Sequence, residues 1–306
     1  MGRAGDDRWG LYGPGSEAWR LNREASLLLG AGPRALLLQI AHPLVAEGVD
    51  QHSDFRSDPW ARLSGTLRSY LRIVYGTSAA ARAEIRRLNA LHGTVTGPVR
   101  DPASAARFGA TYRARDADLS LWVHATLVDS TLATVDAWLE PLSAARRARF
   151  YAETLPIGRL FGVPADRLPP DIDAFDAYMA AMLAPAGPVH PSATARELAV
   201  VILHPDLAPL AEHGPIADRL GGLSPAVASL LRRIPVGAVD WLLVPSIGLL
   251  PSATRAEYEL PWGLRERTIE RYLVTAWGAW RPLLPPRWRW FPQALAADAG
   301  AADQAG

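Results

Sequence analysis

The amino-acid sequence predicts an all-α protein, and three observations support this class. Apolar residues recur at helix-type spacing along the 306-residue chain, whereas alternating strand patterns of any length do not occur. Residues typical of helix starts and glycines typical of helix ends bracket these segments. No internal repeat or long linker divides the chain, and its 49% apolar content suffices for a substantial core. We therefore predict one helical domain over residues 16–292, flanked by flexible segments at 1–15 and 293–306.

The first helices are bounded by capping residues and prolines. Ser16 predicts the start of a helix that runs towards Gly30. Pro43 must end or kink the helix that follows, because proline lacks the backbone N–H that a helix interior needs. The pair at 58–59, an aspartate and a proline, predicts the start of another helix, which Gly76 would end.

A glycine- and proline-rich stretch at 92–102 separates these helices from the longest candidate helix, at about 116–139. At ~1.5 Å per residue, that helix is long enough to cross a domain, so His124 should lie well inside the protein. Further helices are predicted at 78–91, 143–161, 171–184, 192–203, 225–233 and 262–279.

Composition excludes several function classes. The formal net charge is +1, so the chain lacks the excess of positive charge typical of proteins that bind nucleic acid. All 32 basic residues are arginine, so there is no lysine for Schiff-base chemistry. Because the chain has no cysteine, disulfides, iron–sulfur clusters, thiolate-ligated haem and cysteine zinc sites are excluded. Any metal must be held by His, Asp, Glu, Met or Tyr.

The N-terminus is polar and does not resemble a signal peptide, and each of the longest apolar stretches is too short to span a bilayer. These features predict a soluble, cytoplasmic protein without a transmembrane segment. The stretch WGAWRPLLPPRWRWF at 277–291 is rich in tryptophan and proline. Packing on the core is the favoured interpretation, with contact to a membrane surface as the alternative.

His124 lies within LSLWVHATLVDSTL at 119–132, and on a helix it shares an apolar face with Leu121, Val128 and Leu132. It is either a structural residue of the core or a ligand. The chemistry it offers as a ligand is specific, because a neutral imidazole in an apolar slot binds haem iron, and a helical bundle can hold the porphyrin.

A second cluster of polar residues lies between two apolar helices, over residues 41–66. Its members are His42, Glu47, His52, Asp54, Arg56, Asp58, Arg62 and Thr66. Arg62 and Thr66 are four residues apart and share a helix face. Two interpretations are open for this pair: a solvated helix face, or donors to an anionic or oxygen-bearing group. His42 is placed to end a helix, and His52 and Asp54 to form a turn.

Other catalytic motifs are missing from the sequence. It contains no H-x-x-x-H zinc motif, no G-x-S-x-G nucleophile elbow, no phosphate-binding loop and no repeated E-x-x-H pattern of a di-iron bundle.

The segments LLLQIAHPLVAEGVDQHSDFRSDPWARLSGTLRSYLRIVYGT and YRARDADLSLWVHATLVDSTL resemble the family of the rubber oxygenases (latex-clearing proteins) and the mycophenolic-acid-pathway oxygenase. The resemblance extends over roughly residues 20–250. It implies an all-α, globin-like core that holds haem b, with His124 as the proximal iron ligand. An R-x-x-x-T pair on a haem-facing helix, implied by the family, matches Arg62 and Thr66. In the rubber-cleaving branch a lysine precedes the threonine, where this chain has Gly65; Glu47 is the nearest candidate for that branch's catalytic glutamate.

The resemblance thus predicts a haem-dependent oxygenase that acts with dioxygen on an apolar, isoprenoid-like small molecule, by oxidation or oxidative C=C cleavage. His124 would ligate iron, and Arg62 and Thr66 would steady a haem propionate or bound oxygen. His42, Glu47 or His52 would transfer the proton. The alternatives are a haem peroxidase-like enzyme and a non-catalytic all-α binding protein in which His124 belongs only to the core.

Overall fold

The computed structural model describes residues 8–53, 59–204 and 236–302, and these residues are mostly helical. The helical class predicted from the sequence is therefore confirmed. Within the described ranges a two-stranded antiparallel sheet pairs β1, Thr96–Pro98, with β2, Thr111–Arg113, and places Gly97 opposite Tyr112. β1 lies in the glycine- and proline-rich stretch at 92–102, whereas β2 follows α6 and lies outside it.

Helices follow one another along the described ranges and are numbered in chain order. They are α1 Glu17–Asn22, α2 Ala31–Ala41, α3 Pro43–His52, α4 Pro59–Tyr75, α5 Ser78–Thr94, α6 Pro102–Phe108, α7 Ala117–Thr134, α8 Ala144–Leu160, α9 Ile172–Met182, α10 Ala193–Leu203, α11 Val236–Gly248, α12 Ser252–Glu257, α13 Leu264–Trp280, α14 Pro286–Arg289 and α15 Pro292–Ala302. Short 3₁₀ turns occupy Ala25–Leu28 and Arg281–Leu283, and a π-helical turn, Val135–Leu139, continues α7. Asp58 and the helix predicted at 225–233 lie outside the described residues.

The start of α1 confirms the predicted cap, because the Ser16 hydroxyl accepts a hydrogen bond from the backbone N–H of Trp19 at 3.0 Å. The prediction that this helix runs towards Gly30 is wrong, since α1 ends at Asn22. Two residues later, the buried Glu24 carboxylate accepts a 2.8 Å hydrogen bond from Arg281. This long-range ion pair fixes the chain where the local pattern alone favours a continued helix.

Pro43 breaks the chain direction as predicted. α2 ends at Ala41, and Pro43 occupies the first turn of α3, where its missing N–H costs nothing. The segments Ala25–Ala41 and Pro43–His52 meet at 104°. In the described part of the chain no single helix is long and apolar enough to cross a membrane; this bent pair alone meets the length and composition criteria.

The core is built where α2 packs against α7. Trp122 is fully buried, and its indole N–H donates to the Leu38 carbonyl at 3.1 Å, so the largest core side chain also satisfies its polar atom. Arg34 of α2 is buried as well, and it donates to Asp129 at 2.6 Å and to Ser130 at 2.9 Å on α7. Apolar burial and these buried polar contacts together hold α7 in one position along α2.

The C-terminal segment packs on the N-terminal half. The segment predicted as a flexible tail begins with α15, which places Ala294 in a buried cluster with Leu67 and Leu71 of α4. The Trp19 indole N–H also donates to Asp298 at 2.8 Å. Residues up to 302 thus belong to the folded helical unit.

Candidate functional site

His124 lies on α7 with only 8% of its surface exposed. Its Nε2 atom is buried and has no hydrogen-bond partner within the described ranges. Burial lowers the pKa of His124 to about 4, so the imidazole is neutral at neutral pH. A buried, neutral imidazole with a nitrogen left unpaired is the form in which histidine ligates a metal.

A glycine faces this nitrogen from α8. A Cβ atom placed on Gly158 would lie 3.4 Å from His124 Nε2 and 3.0 Å from Leu168 Cδ2. Leu168 belongs to an apolar cluster with Leu121 and Val163. The nitrogen therefore lies against an apolar wall in which position 158 carries no side chain. An unpaired, neutral imidazole nitrogen has the donor chemistry of a metal ligand.

Arg62 and Thr66, which the sequence places on one helix face, are in contact on α4. The Arg62 guanidinium donates to the Thr66 hydroxyl at 3.3 Å and to the Ser53 hydroxyl at 3.2 Å, and Thr66 donates to the Arg62 carbonyl at 2.9 Å. Both side chains are exposed. They form a preassembled polar pair in which the guanidinium is the available donor, because the Thr66 hydroxyl proton is already bonded to the Arg62 carbonyl; no described contact joins the pair to His124.

Two basic residues outside the predicted set lie near Arg62. The pKa of His92 is lowered by burial and by the charges of Arg62 and Arg115. Arg115 precedes α7, and its side chain lies against Gly93 at the end of α5. A cavity of about 450 Å³ is lined by Arg113, Arg115, Asp116 and Ala117. The sequence places His92 in the glycine-rich stretch, where no periodicity indicates a functional role.

Glu47 is buried, and its carboxylate is fully engaged. It accepts hydrogen bonds from the Arg100 guanidinium at 2.8 Å, the Arg100 backbone N–H at 3.1 Å and the Gln51 amide at 2.7 Å. Arg100 also pairs with Asp50. These contacts fasten the segment after β1 to α3, which is a structural task for one of the three residues predicted as candidates for proton transfer.

His42 and His52 also make structural contacts. The Nδ1 atom of His42 accepts from the Leu44 backbone N–H at 3.3 Å, which caps α3 and leaves the proton of the neutral ring on Nε2. Burial and Arg107 lower the pKa of His42 to about 4, against the opposing charge of Asp116. His52 is exposed, and its Nε2 lies 2.9 Å from the Thr96 carbonyl oxygen.

The sequence-predicted site residues thus lie in different parts of the structure. His42 is electrostatically coupled to Asp116, the cap of the helix that carries His124, while Glu47 and His52 contact the segment around β1. Asp54, Arg56 and Asp58 lie outside the described residues. In the described ranges no group of three or more His, Asp or Glu side chains converges on a metal-sized site. Gly158 is a position that sequence reasoning missed, because a lone glycine in a helix carries no pattern.

A family model described as "ER-bound oxygenase mpaB/B'/Rubber oxygenase, catalytic domain" matches residues 19–280, which is most of the chain. The match includes the polar cluster between α2 and α4, the helix with His124, and the surface helix α13. No curated protein and no solved structure matches the chain.

Proposed function

The chain belongs to the family of the ER-bound oxygenase mpaB/B' and rubber oxygenase catalytic domains, and from this premise we propose that it is a haem-dependent oxygenase with His124 as its iron ligand. Membership itself makes the protein an enzyme of the oxygenase class. The proposal adds the cofactor, haem b in a globin-like core, its ligand and the substrate class, an apolar isoprenoid-like molecule that reacts with dioxygen.

The observation that carries the proposal is the unpaired Nε2 of His124. Leaving a buried polar atom without a partner costs about 1–3 kcal/mol, so most such atoms in folded proteins are hydrogen-bonded. A bond to iron would satisfy this nitrogen without a hydrogen-bond donor. The depressed pKa supports the same assignment, because the imidazole stays unprotonated and needs to lose no proton to ligate.

Haem, when bound, supplies the dioxygen-activating chemistry, and the chain's own residues supply binding, position and exclusion of water. His124 would hold the group, and the apolar wall beside Gly158 would keep water from it. Arg62 would donate hydrogen bonds to a propionate or to a bound oxygen-bearing group, and Thr66 would do so once its hydroxyl turns away from the Arg62 carbonyl. In a cleavage reaction both atoms of dioxygen would end in the two carbonyl groups formed from one C=C bond.

Of the three predicted proton-transfer residues, His42 is the one that we favour. Glu47 already accepts from Arg100 and Gln51, and His52 is exposed beside β1. His42 is neutral at neutral pH, and its Nε2–H is the atom available as a donor, because Nδ1 accepts from the backbone. It would act by donating a hydrogen bond to substrate oxygen.

The visible absorption spectrum of the protein, expressed with ample haem precursor, tests the proposal. We expect a haem band in the wild type, loss or changed ligation of that band in His124→Ala, and an unchanged band in the control His190→Ala, whose ring is partly exposed beside Glu257. A colourless wild-type protein would contradict the proposal and favour a binding protein. Product formation with dioxygen alone, compared with added peroxide, separates the oxygenase from a peroxidase-like enzyme.

A further inference from the structure

The helix α13 has an outer face that the rest of the described protein does not cover. Residues Leu264, Thr268, Tyr272, Thr275 and Ala279 recur at spacings of three and four, so they form one stripe along the helix, and all five are exposed. Leu264 is 83% and Tyr272 71% exposed. We call this stripe, with the arginines beside it, the outer face of α13.

Charge is segregated across α13. Arg265, Arg267 and Arg271 flank the stripe and are exposed, and none of them forms an ion pair within the described residues. Both glutamates turn away from this face. Glu266 accepts from the Gly263 backbone N–H at 2.7 Å, and the Glu270 carboxylate packs against Gly248 of α11. The outer face therefore consists of an uncharged stripe with arginines on both sides, and no exposed carboxylate lies on the same side of the helix.

More exposed apolar side chains lie on α13, on α11, which packs against it, and in the segment that follows α13. Eleven large hydrophobic side chains are exposed in the described residues, and seven of them lie between 241 and 288. These seven are Trp241, Leu242, Leu264, Tyr272, Trp280, Leu283 and Trp288. The Arg265 guanidinium lies 5.5 Å from the centroid of the Trp241 ring, which joins α11 to the outer face. Residues 262–290 hold six arginines against two glutamates, and two of these arginines, Arg281 and Arg289, pair with the buried Glu24.

We propose that the outer face of α13 binds the surface of an anionic lipid bilayer. Surface tryptophan, tyrosine and leucine side chains enter the headgroup region of a bilayer, while arginine side chains extend to lipid phosphates. A bilayer surface therefore accommodates both the apolar side chains and the arginines of this face. A second copy of the chain is a poorer partner, because a two-fold contact would oppose the same arginines. The inference stands apart from the proposed function, since none of these residues belongs to the haem site.

Vesicle sedimentation with the full chain tests this proposal, with vesicles of equal parts phosphatidylglycerol and phosphatidylcholine compared against phosphatidylcholine alone. We expect binding to the anionic vesicles only, weakened by added salt. The double variant R265Q/R271Q should bind about 25-fold more weakly, at roughly fivefold for each arginine near a charged surface. Tyr272→Ser should also weaken binding. The control R82Q/R86Q makes the same charge change on the exposed side of α5 and should bind as the wild type does.

Three results would overturn the proposal: no binding of the wild type to anionic vesicles, equal losses in R265Q/R271Q and R82Q/R86Q, or self-association that R265Q/R271Q or Tyr272→Ser abolishes in sedimentation velocity. The last would make the outer face an interface between copies. Because the substituted side chains are exposed, thermal unfolding of every variant should match the wild type, which separates lost binding from lost folding.

Discussion

The contact between Glu47 and Arg100 allows a sharp test of whether Glu47 is structural or catalytic. The Glu47 carboxylate is buried, and the Arg100 guanidinium that satisfies it at 2.8 Å is half exposed. A charge-assisted hydrogen bond contributes about 1.5–3 kcal/mol, and solvent around Arg100 places this pair in the lower part of that range, at about 2 kcal/mol. We expect Glu47→Gln and Arg100→Gln each to lower the free energy of unfolding by that amount.

A double-mutant cycle measured by urea unfolding of the haem-free protein isolates the pair. The double variant should be less destabilised than the sum of the single variants by about 1–2 kcal/mol, because either change removes the same contact. Arg82→Gln, an exposed arginine on α5, is the control for loss of one charge. The reasoning fails if the coupling energy is near zero. It also fails if Glu47→Gln keeps its stability but loses oxygenase activity, since Glu47 would then be the proton-transfer residue.

Three further predictions follow from buried groups. Gly158→Ala should reduce haem occupancy, read from the visible spectrum, because the new methyl group meets His124 at 3.3–3.4 Å; Gly278→Ala, with open space around it, is the control. Arg87, a neighbouring serine and a second arginine hold the pKa of Glu84 at about 2, so its contribution to stability is present above about pH 4.5 and lost as the pH falls towards 2. Glu84→Gln should flatten the acid limb of the stability curve over that interval. Arg34→Met should lower the free energy of unfolding by about 3–5 kcal/mol, because it leaves a carboxylate of α7 without its partner; a loss below 1 kcal/mol would refute this.

Local chemistry explains which parts of the fold were predictable. The Ser16 cap, the break at Pro43 and the burial of His124 depend on residues within a few positions of each other, and all three predictions are confirmed. The early end of α1 coincides with the Glu24–Arg281 ion pair, which joins residues 257 positions apart. The Glu47–Arg100 contact likewise joins residues 53 positions apart. Such contacts exist only once helices pack, so periodicity and capping signals do not reveal them.

The same limit applies to the candidate site. The four-residue spacing of Arg62 and Thr66 predicts that they share a helix face, whereas nothing in the sequence places Gly158 opposite His124. A helix glycine is read from sequence as a weak point that costs about 1 kcal/mol relative to alanine. At position 158 the lack of a side chain matters because a Cβ atom would meet His124. This is visible only once α8 packs against α7.

The helix α7 relates the two proposals to each other. Its N-terminal end lies beside Arg115, which with Arg62 acts on His92, while its C-terminal end continues into the π-helical turn that α13 contacts. His124 lies between these ends, and 11 residues of helix at ~1.5 Å each separate it from the start of that turn by roughly 16 Å. A bilayer on the outer face of α13 would therefore approach the end of α7 that is remote from the basic residues. Lipid binding and haem binding should consequently be separable: R265Q/R271Q should keep the full haem band while it loses vesicle binding, and His124→Ala should do the reverse.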